Sequence, residues 1–312
     1  MTPLKPAEIR GNWATLLLPI QKSEAIDFAL LADEIDHFIA ARVNGIYSNG
    51  SAGEFHTQTE EEFDRVSLLL AEKCTKANMP FQIGACHMSA QLSRERLRRT
   101  KALRPSAFQV ILPDWFPLAW PEIITFLETM AAEAAPIPLV VYNPPHAKRC
   151  LSPQEWLELA TRIPGIAGIK VPGGDDAWYR AMQPAMAKLS VFIPGHLLAT
   201  GLSQGAHGAY SNVACLSPAG AQRWYDLCIQ DSITGLRWQK KILSFWITQI
   251  APLITVHRLC NMAADKAAAA AGGWLLGMNP RLRWPYRSAE AHMIRSIADA
   301  AQREIPELFN SP

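Results

Sequence analysis

Eight short runs of apolar, β-branched or aromatic residues recur along the chain, at 14–18, 45–48, 81–85, 108–112, 139–142, 167–171, 191–193 and 208–211. Most are apolar at odd and even positions alike, the pattern of strands buried on both faces of a parallel sheet. Helical spacing fills the gaps. Ile26, Leu30, Leu31, Ile35, Phe38 and Ile39 form one apolar stripe. Thr59 and Glu62 make a capping-box pair ahead of Phe63, Val66, Leu69 and Leu70. Ser152, Pro153 and Glu155 occupy the cap, first and third positions of another helix, which Gly165 closes. Further helical segments follow Ser89, Pro121 and Asp175, while only a short one fits between His196 and Gln204.

Strict alternation of strand and helix predicts an α/β fold with a parallel sheet, and eight such units close into a (β/α)8 TIM barrel. The runner-up, an open doubly wound sheet, usually brings GxGxxG or GxxxxGK[ST], and neither occurs. Beyond Pro218 the strand patterns stop and helical segments follow at 219–230, 233–250, 254–271 and 289–301. No Gly/Ser/Pro-rich linker precedes them. The expected division is therefore a barrel over residues 1–218 and a helical extension over 219–312, packed on the barrel.

Composition narrows the partners. Thirty basic and 28 acidic residues leave a net charge of +2, which offers no electrostatic footprint for nucleic acid. A chain 49% hydrophobic and 19% charged is not a disordered one. Six cysteines without a CxxC pair suggest neither a disulfide framework nor a zinc ribbon, but free thiols in a reducing compartment. The apolar run near the N-terminus is too short for a signal segment. The Ala-rich stretch 263–278 carries Asp265 and Lys266, so no membrane span is expected. A cytoplasmic location follows as the expectation, and a metal is not expected: His196 and His207 lack a third ligand at suitable spacing.

Reacting groups of such a barrel come from the C-terminal ends of its strands. The polar and glycine-rich interruptions lie there: Gly50-Ser51-Ala52-Gly53-Glu54 after strand two, Asp114-Trp115-Phe116 after four, Tyr142-Asn143-Pro144-Pro145-His146 after five and Lys170 after six. Lys170 is the only charge in 163–174. An apolar wall desolvates its ammonium and lowers its pKa, and a neutral amine attacks a ketone to form a Schiff base. A lone strand-end lysine that snorkels to solvent is the plainer alternative. Tyr142 on the neighbouring strand offers a phenol to relay protons, or a core tyrosine satisfied by backbone. The glycine-flanked amides after strand two suit a carboxylate, and Glu54 would complement a helix N-terminus.

Together, Gly50-Ser51-Ala52-Gly53-Glu54, Tyr142-Asn143-Pro144-Pro145 and Gly168-Ile169-Lys170 resemble the dihydrodipicolinate synthase / N-acetylneuraminate lyase family over nearly the whole chain. The resemblance implies a class I lyase that joins a lysine to pyruvate or another 2-oxo acid, without metal or organic cofactor, usually as a homotetramer. It implies Lys170 as the Schiff-base lysine, Tyr142 as proton relay and Ser51 as the hydroxyl bonded to that tyrosine. Ala52, Gly53, Gly195 and Tyr210 fall on positions lining the 2-oxo acid pocket.

Three departures bear on specificity. Ala52 stands where the family has a second hydroxyl for the substrate carboxylate. Trp115 lies near the position of a tyrosine that, in members making dihydrodipicolinate, enters the neighbouring subunit's relay. Ala147 replaces an arginine for the second substrate, leaving His146 and Lys148 as candidates for the distal part of a different one. Trp115, Phe116 and Trp120 would form an aromatic pocket wall or pack between subunits. The expected protein is a Schiff-base lyase or aldolase other than dihydrodipicolinate synthase itself. The alternatives are a dehydratase or hydratase-aldolase of a sugar-derived or aromatic 2-oxo acid, and a non-catalytic 2-oxo acid-binding homologue.

Overall fold

The computed structural model describes residues 1–310. Eight parallel strands close into a barrel in sequence order: β1 Gly11–Thr15, β2 Gly45–Ser48, β3 Phe81–Gly84, β4 Ala107–Ile111, β5 Leu139–Tyr142, β6 Ile166–Lys170, β7 Ser190–Pro194 and β8 Gly208–Tyr210. The last strand pairs with the first, Trp13 lying opposite Tyr210. Each strand alternates with a helix: α1 Phe28–Ala40, α2 Glu60–Lys76, α3 Ala90–Thr100, α4 Trp120–Ala134, α5 Pro153–Arg162, α6 Asp176–Met186 and α7 Leu198–Ser203. After β8 come α8 Val213–Leu216, α9 Pro218–Gln230, α10 Ser232–Phe245, α11 Ala251–Thr255, α12 Asn261–Gly272 and α13 Ala291–Glu304.

The fold is the (β/α)8 barrel that the alternation predicts. Its first strand, however, begins three residues earlier than the apolar run implies. The Leu16 amide still reaches the Tyr47 carbonyl of β2 at 2.9 Å, but Leu17 and Leu18, though buried, have left the sheet; the Leu17 amide donates to Glu34 at 2.8 Å instead of to a strand. The helix expected over 254–271 is two helices. Arg258 adopts a left-handed φ of 57°, and the Leu259 amide turns back to the Leu253 carbonyl at 2.9 Å, separating α11 from α12.

Local signals were otherwise met by local bonds. Thr59 accepts the Glu62 amide at 3.2 Å and Glu62 accepts the Thr59 amide at 3.0 Å. Ser152 and Glu155 do the same at 3.3 and 2.8 Å. Each such cap is worth about 1 kcal/mol.

Two apolar layers result. One lies between the sheet and its helices. The other fills the barrel interior, where Trp13, Tyr47, Phe192 and Tyr210 interlock with Ala107, Val140 and Ala167. Tyr47 and Tyr210 meet edge to face at 4.6 Å between centroids. This aromatic plug closes the barrel from below and forms the floor beneath the strand ends. No helix among the described residues is long and apolar enough to cross a membrane.

Candidate active site at the mouth of the barrel

Lys170 ends β6, opposite Tyr142 at the end of β5 and Phe192 on β7. Its side chain turns into the barrel over the aromatic floor. Nζ donates to the Tyr47 hydroxyl at 3.3 Å and lies 4.2, 5.1 and 5.3 Å from the ring centres of Tyr142, Tyr47 and Tyr210. Ring faces favour the ammonium, but loss of water opposes it more strongly, and burial brings the amine down to about 8. The Tyr142 phenol moves the other way, pushed up to about 12 by burial, with hydrogen bonding from Ser51 opposing the rise.

The loop after β2 supplies the wall beside them. The Glu54 amide donates to the Ser51 carbonyl and the Phe55 amide to the Gly50 carbonyl, at 3.0 and 3.4 Å, which curls the backbone tightly. A Cβ on Gly53 would stand 3.0 Å from the Leu16 carbonyl oxygen, so the turn needs glycine there. The amides of Ser51, Ala52 and Gly53 donate to nothing among the described residues. Consecutive unspent amides form a concavity suited to an anion.

Glu54 does not sit at an exposed helix start. It is fully buried and forms an ion pair with Lys266 of α12, itself fully buried; Lys266 also donates to the Arg281 carbonyl at 2.6 Å. Burial pushes the Glu54 carboxyl up and the Lys266 amine down, each opposed by the other's charge. The pair holds the turn after β2 against α12, 212 residues away in the chain.

Beside Ser51 and Tyr142 two adjoining cavities open. An inner one of about 110 Å³ is lined by Ser51, Phe55, Met88, Ile111, Tyr142 and His146, with Asp114 and Ala147 at its edge. An outer one of about 540 Å³ shares Ser51, Phe55, Met88 and His146 and adds His56, Cys260, Asn261, Met262 and Tyr286. Neither lining contains an arginine or a lysine. The rim is shaped by Asn143, whose amide group donates to the Arg149 carbonyl at 2.8 Å and whose oxygen accepts the Leu151 amide at 2.9 Å.

The sequence-derived candidates therefore divide. Tyr142, Ser51 and His146 line one cavity, the Lys170 amine meets the Tyr142 ring from the barrel interior, and Ala52 and Gly53 lie in the adjacent turn. Tyr210 contributes its ring to the floor, its hydroxyl being spent on Gln82 at 2.6 Å. Gly195 is packed against β8, where an added Cβ would meet the Ser211 hydroxyl at 2.5 Å. Trp115 and Lys148 are not in the chamber: Trp115 is 75% exposed, and Lys148 donates to its carbonyl at 2.9 Å, the ammonium 5.5 Å from its ring. A long flexible cation finds a nearer partner in that loop than in the cavity. His196 stacks on Trp246 with its Nδ1 next to Asn212, and His207 accepts the Val191 amide at 3.1 Å.

The sequence model of the dihydrodipicolinate synthetase family matches residues 8–299. This chain belongs to that family. Among curated relatives, the N-acetylneuraminate lyase of Shigella boydii is 26% identical over 167 residues, 54% of this chain and 56% of that protein. That of Escherichia coli K12 is 26% identical over 168 residues. The match thus spans about half the length of these curated relatives. Solved structures share the fold throughout. An E. coli K12 prophage protein of the dihydrodipicolinic acid synthase family, determined with pyruvate, superposes with a TM-score of 0.83 at 19% identity, covering 95% of this chain and 98% of that one. A Clostridium difficile protein determined with mannosamine gives 0.82 at 18% identity, covering 95% and 99%.

Two residues that bear on Lys170 have no counterpart in the sequence-derived set. Tyr47 is the hydrogen-bond partner of Lys170, yet in a strand buried on both faces its direction cannot be read from periodicity; an aromatic hydroxyl three residues before Gly50 is the available signal. Asp265 lies on α12, and its charge acts on Lys170, Tyr47, Tyr142 and Cys215. In the sequence it registers only as an interruption of an alanine run.

Proposed function

We propose that this protein is a Schiff-base-forming lyase acting on pyruvate or another 2-oxo acid. The observation that carries the reading is the Lys170 amine at a strand end, desolvated over aromatic rings and 4.2 Å from the centre of the Tyr142 ring. In this reading the neutral amine attacks the ketone, the unspent amides of 51–53 hold the carboxylate, and the Tyr142 hydroxyl moves protons in concert with Ser51. The protonated imine then accepts the electron pair of the breaking carbon–carbon bond. Borohydride reduction in the presence of pyruvate tests it: a reduced adduct on Lys170 is expected, and failure to trap any member of a 2-oxo acid panel overturns it. A 2-oxo acid bound in a crystal without a covalent bond to Lys170 would instead identify a non-catalytic binding homologue.

The chamber also bears on which 2-oxo acid. Its mouth is built from Phe55, Met88, Met262 and Tyr286, with no arginine or lysine in the lining. Lys148 is engaged with Trp115, and Arg149 with Glu155. That favours a substrate with an uncharged or apolar tail over the charged second substrate of dihydrodipicolinate synthase. A hydratase-aldolase or dehydratase acting on an aromatic or sugar-derived 2-oxo acid would use the same lysine, and a turnover panel separates these outcomes. A cytoplasmic homo-oligomer completes the reading. Trp115 and Phe116, 75% and 79% exposed, are the surface a second copy would cover, which analytical ultracentrifugation checks.

Two further outcomes follow. The rate of Lys170 trapping should rise with pH through about 8 and then level off, because its neutral form saturates there; an ordinary lysine would still be gaining near 10.5. The Tyr142→Phe variant keeps the ring beside Lys170 and loses only the hydroxyl. Its kcat should fall by about 10²–10⁴-fold while pyruvate still binds.

A further inference from the structure

The Lys170 amine has one hydrogen-bond partner among the described residues, the Tyr47 hydroxyl at 3.3 Å. The rings of Tyr142, Tyr47 and Tyr210 around it attract the ammonium but fix no direction, because a ring face is a broad target. Asp265 of α12, Cys86 after β3 and Cys215 of α8 act on it through charge and share no hydrogen bond with it. The lysine side chain is thus held at its base by β6 and at its tip by Tyr47.

Tyr47 is itself immobilised. It is buried in the barrel interior, edge to face with Tyr210 at 4.6 Å, and the Tyr210 hydroxyl is bonded to Gln82 at 2.6 Å. A Cβ on Gly50 would stand 3.0 Å from the Tyr47 ring, so the bare backbone there gives the ring its seat. Thr15, opposite Tyr47 in the β1–β2 register, places its hydroxyl beside the phenol. Burial pushes that phenol well above its usual range, so it stays neutral while Lys170 titrates. A neutral acceptor directs an N–H without adding a counter-charge. A carboxylate in its place would hold the amine protonated.

We propose that Tyr47 is a positioning residue whose hydroxyl orients the Lys170 amine for attack on the ketone of a 2-oxo acid. The inference rests on the Schiff-base reading and adds a residue to it. Tyr47 takes no part in proton transfer, which stays with Tyr142 and Ser51. It accepts one N–H, which leaves the lone pair of the neutral amine free to turn toward the substrate. The nitrogen then bonds the carbonyl carbon, both amine protons leave with the oxygen as water, and one proton from solvent makes the imine cationic.

The Tyr47→Phe variant of the full chain keeps the ring and its packing on Tyr210 and loses the hydroxyl alone. Borohydride trapping of pyruvate gives two readouts. The maximum trapping rate at saturating pyruvate should fall about 10- to 100-fold, while half-saturation stays within about twofold because the amides of 51–53 still hold the carboxylate. The pH midpoint of trapping should move from about 8 to about one pH unit lower, since the ammonium loses a stronger bond than the neutral amine does. The Tyr210→Phe variant removes a hydroxyl of the same aromatic plug that bonds Gln82 and not Lys170. It should lose stability without moving that midpoint. A maximum rate or a midpoint equal to the unaltered protein's overturns the proposal. So does faster trapping in Tyr47→Phe, which marks the hydroxyl as a restraint, and so does an equal midpoint shift in Tyr210→Phe, which marks a general effect of the plug. If the unaltered protein traps no 2-oxo acid, the lysine reading fails and Tyr47 loses its role with it; normal trapping in Tyr47→Phe refutes this inference alone.

Discussion

Replacing Lys170 by methionine is expected to abolish both borohydride trapping and turnover, with kcat falling by at least about four orders of magnitude. Methionine conserves most of the volume over Tyr47, Tyr142 and Tyr210, so the aromatic floor has no reason to collapse. In the proposed reading, what disappears is the amine over the aromatic floor, and with it the covalent route that divides the reaction into two easier steps. An arginine at the same place is no substitute, because a guanidinium stays protonated at every accessible pH. Pyruvate should still bind to the Lys170→Met variant, more weakly, since the amides of 51–53 remain. Intact-mass spectrometry after reduction, calorimetry with pyruvate and a turnover assay together distinguish a lost nucleophile from a lost fold.

The second large effect is on stability. Glu54 and Lys266 are both fully buried and paired with each other. Removing one partner strands the other charge in the interior, so Glu54→Gln or Lys266→Met alone should cost about 3–5 kcal/mol in denaturant unfolding. The double replacement Glu54→Gln with Lys266→Met should recover most of that loss, because the cost of a buried pair lies in desolvating both ions. In the Lys266→Met variant the remaining carboxyl would also lie near Glu34, whose own pKa burial already raises. Activity should suffer in the single variants even where they fold. Glu54 ties the Ser51–Gly53 turn to α12, the helix that carries Asp265. A loss in the double variant equal to the sum of the two single losses would show that the two charges are not coupled.

These effects differ in how far they could be anticipated. The strand–helix alternation, the caps at Thr59 and Ser152 and the closure of eight units are consequences of local spacing, and each stands in the structure. The gathering of Lys170, Tyr142 and Ser51 at one end of the barrel is also legible, because strand ends of a parallel barrel all point to one face and three polar interruptions fall on them. Strand limits drifted by up to three residues at β1, because a buried leucine looks the same inside the sheet and just beyond it.

Side-chain reach and long-range pairing were not recoverable in this way. Lys148 and Trp115 read as pocket candidates from their loops, but close on each other at the rim. Tyr47 could not be assigned an inward face in a strand apolar on both sides. The chain alone determined the barrel, its order and the lysine at the end of β6, because those follow from the period of the apolar pattern and the direction of the strands. Only the tertiary structure decided what surrounds that lysine. Glu54 and Lys266 are partners 212 residues apart, and packing of α12 against the turn after β2 is what brings their charges together away from water.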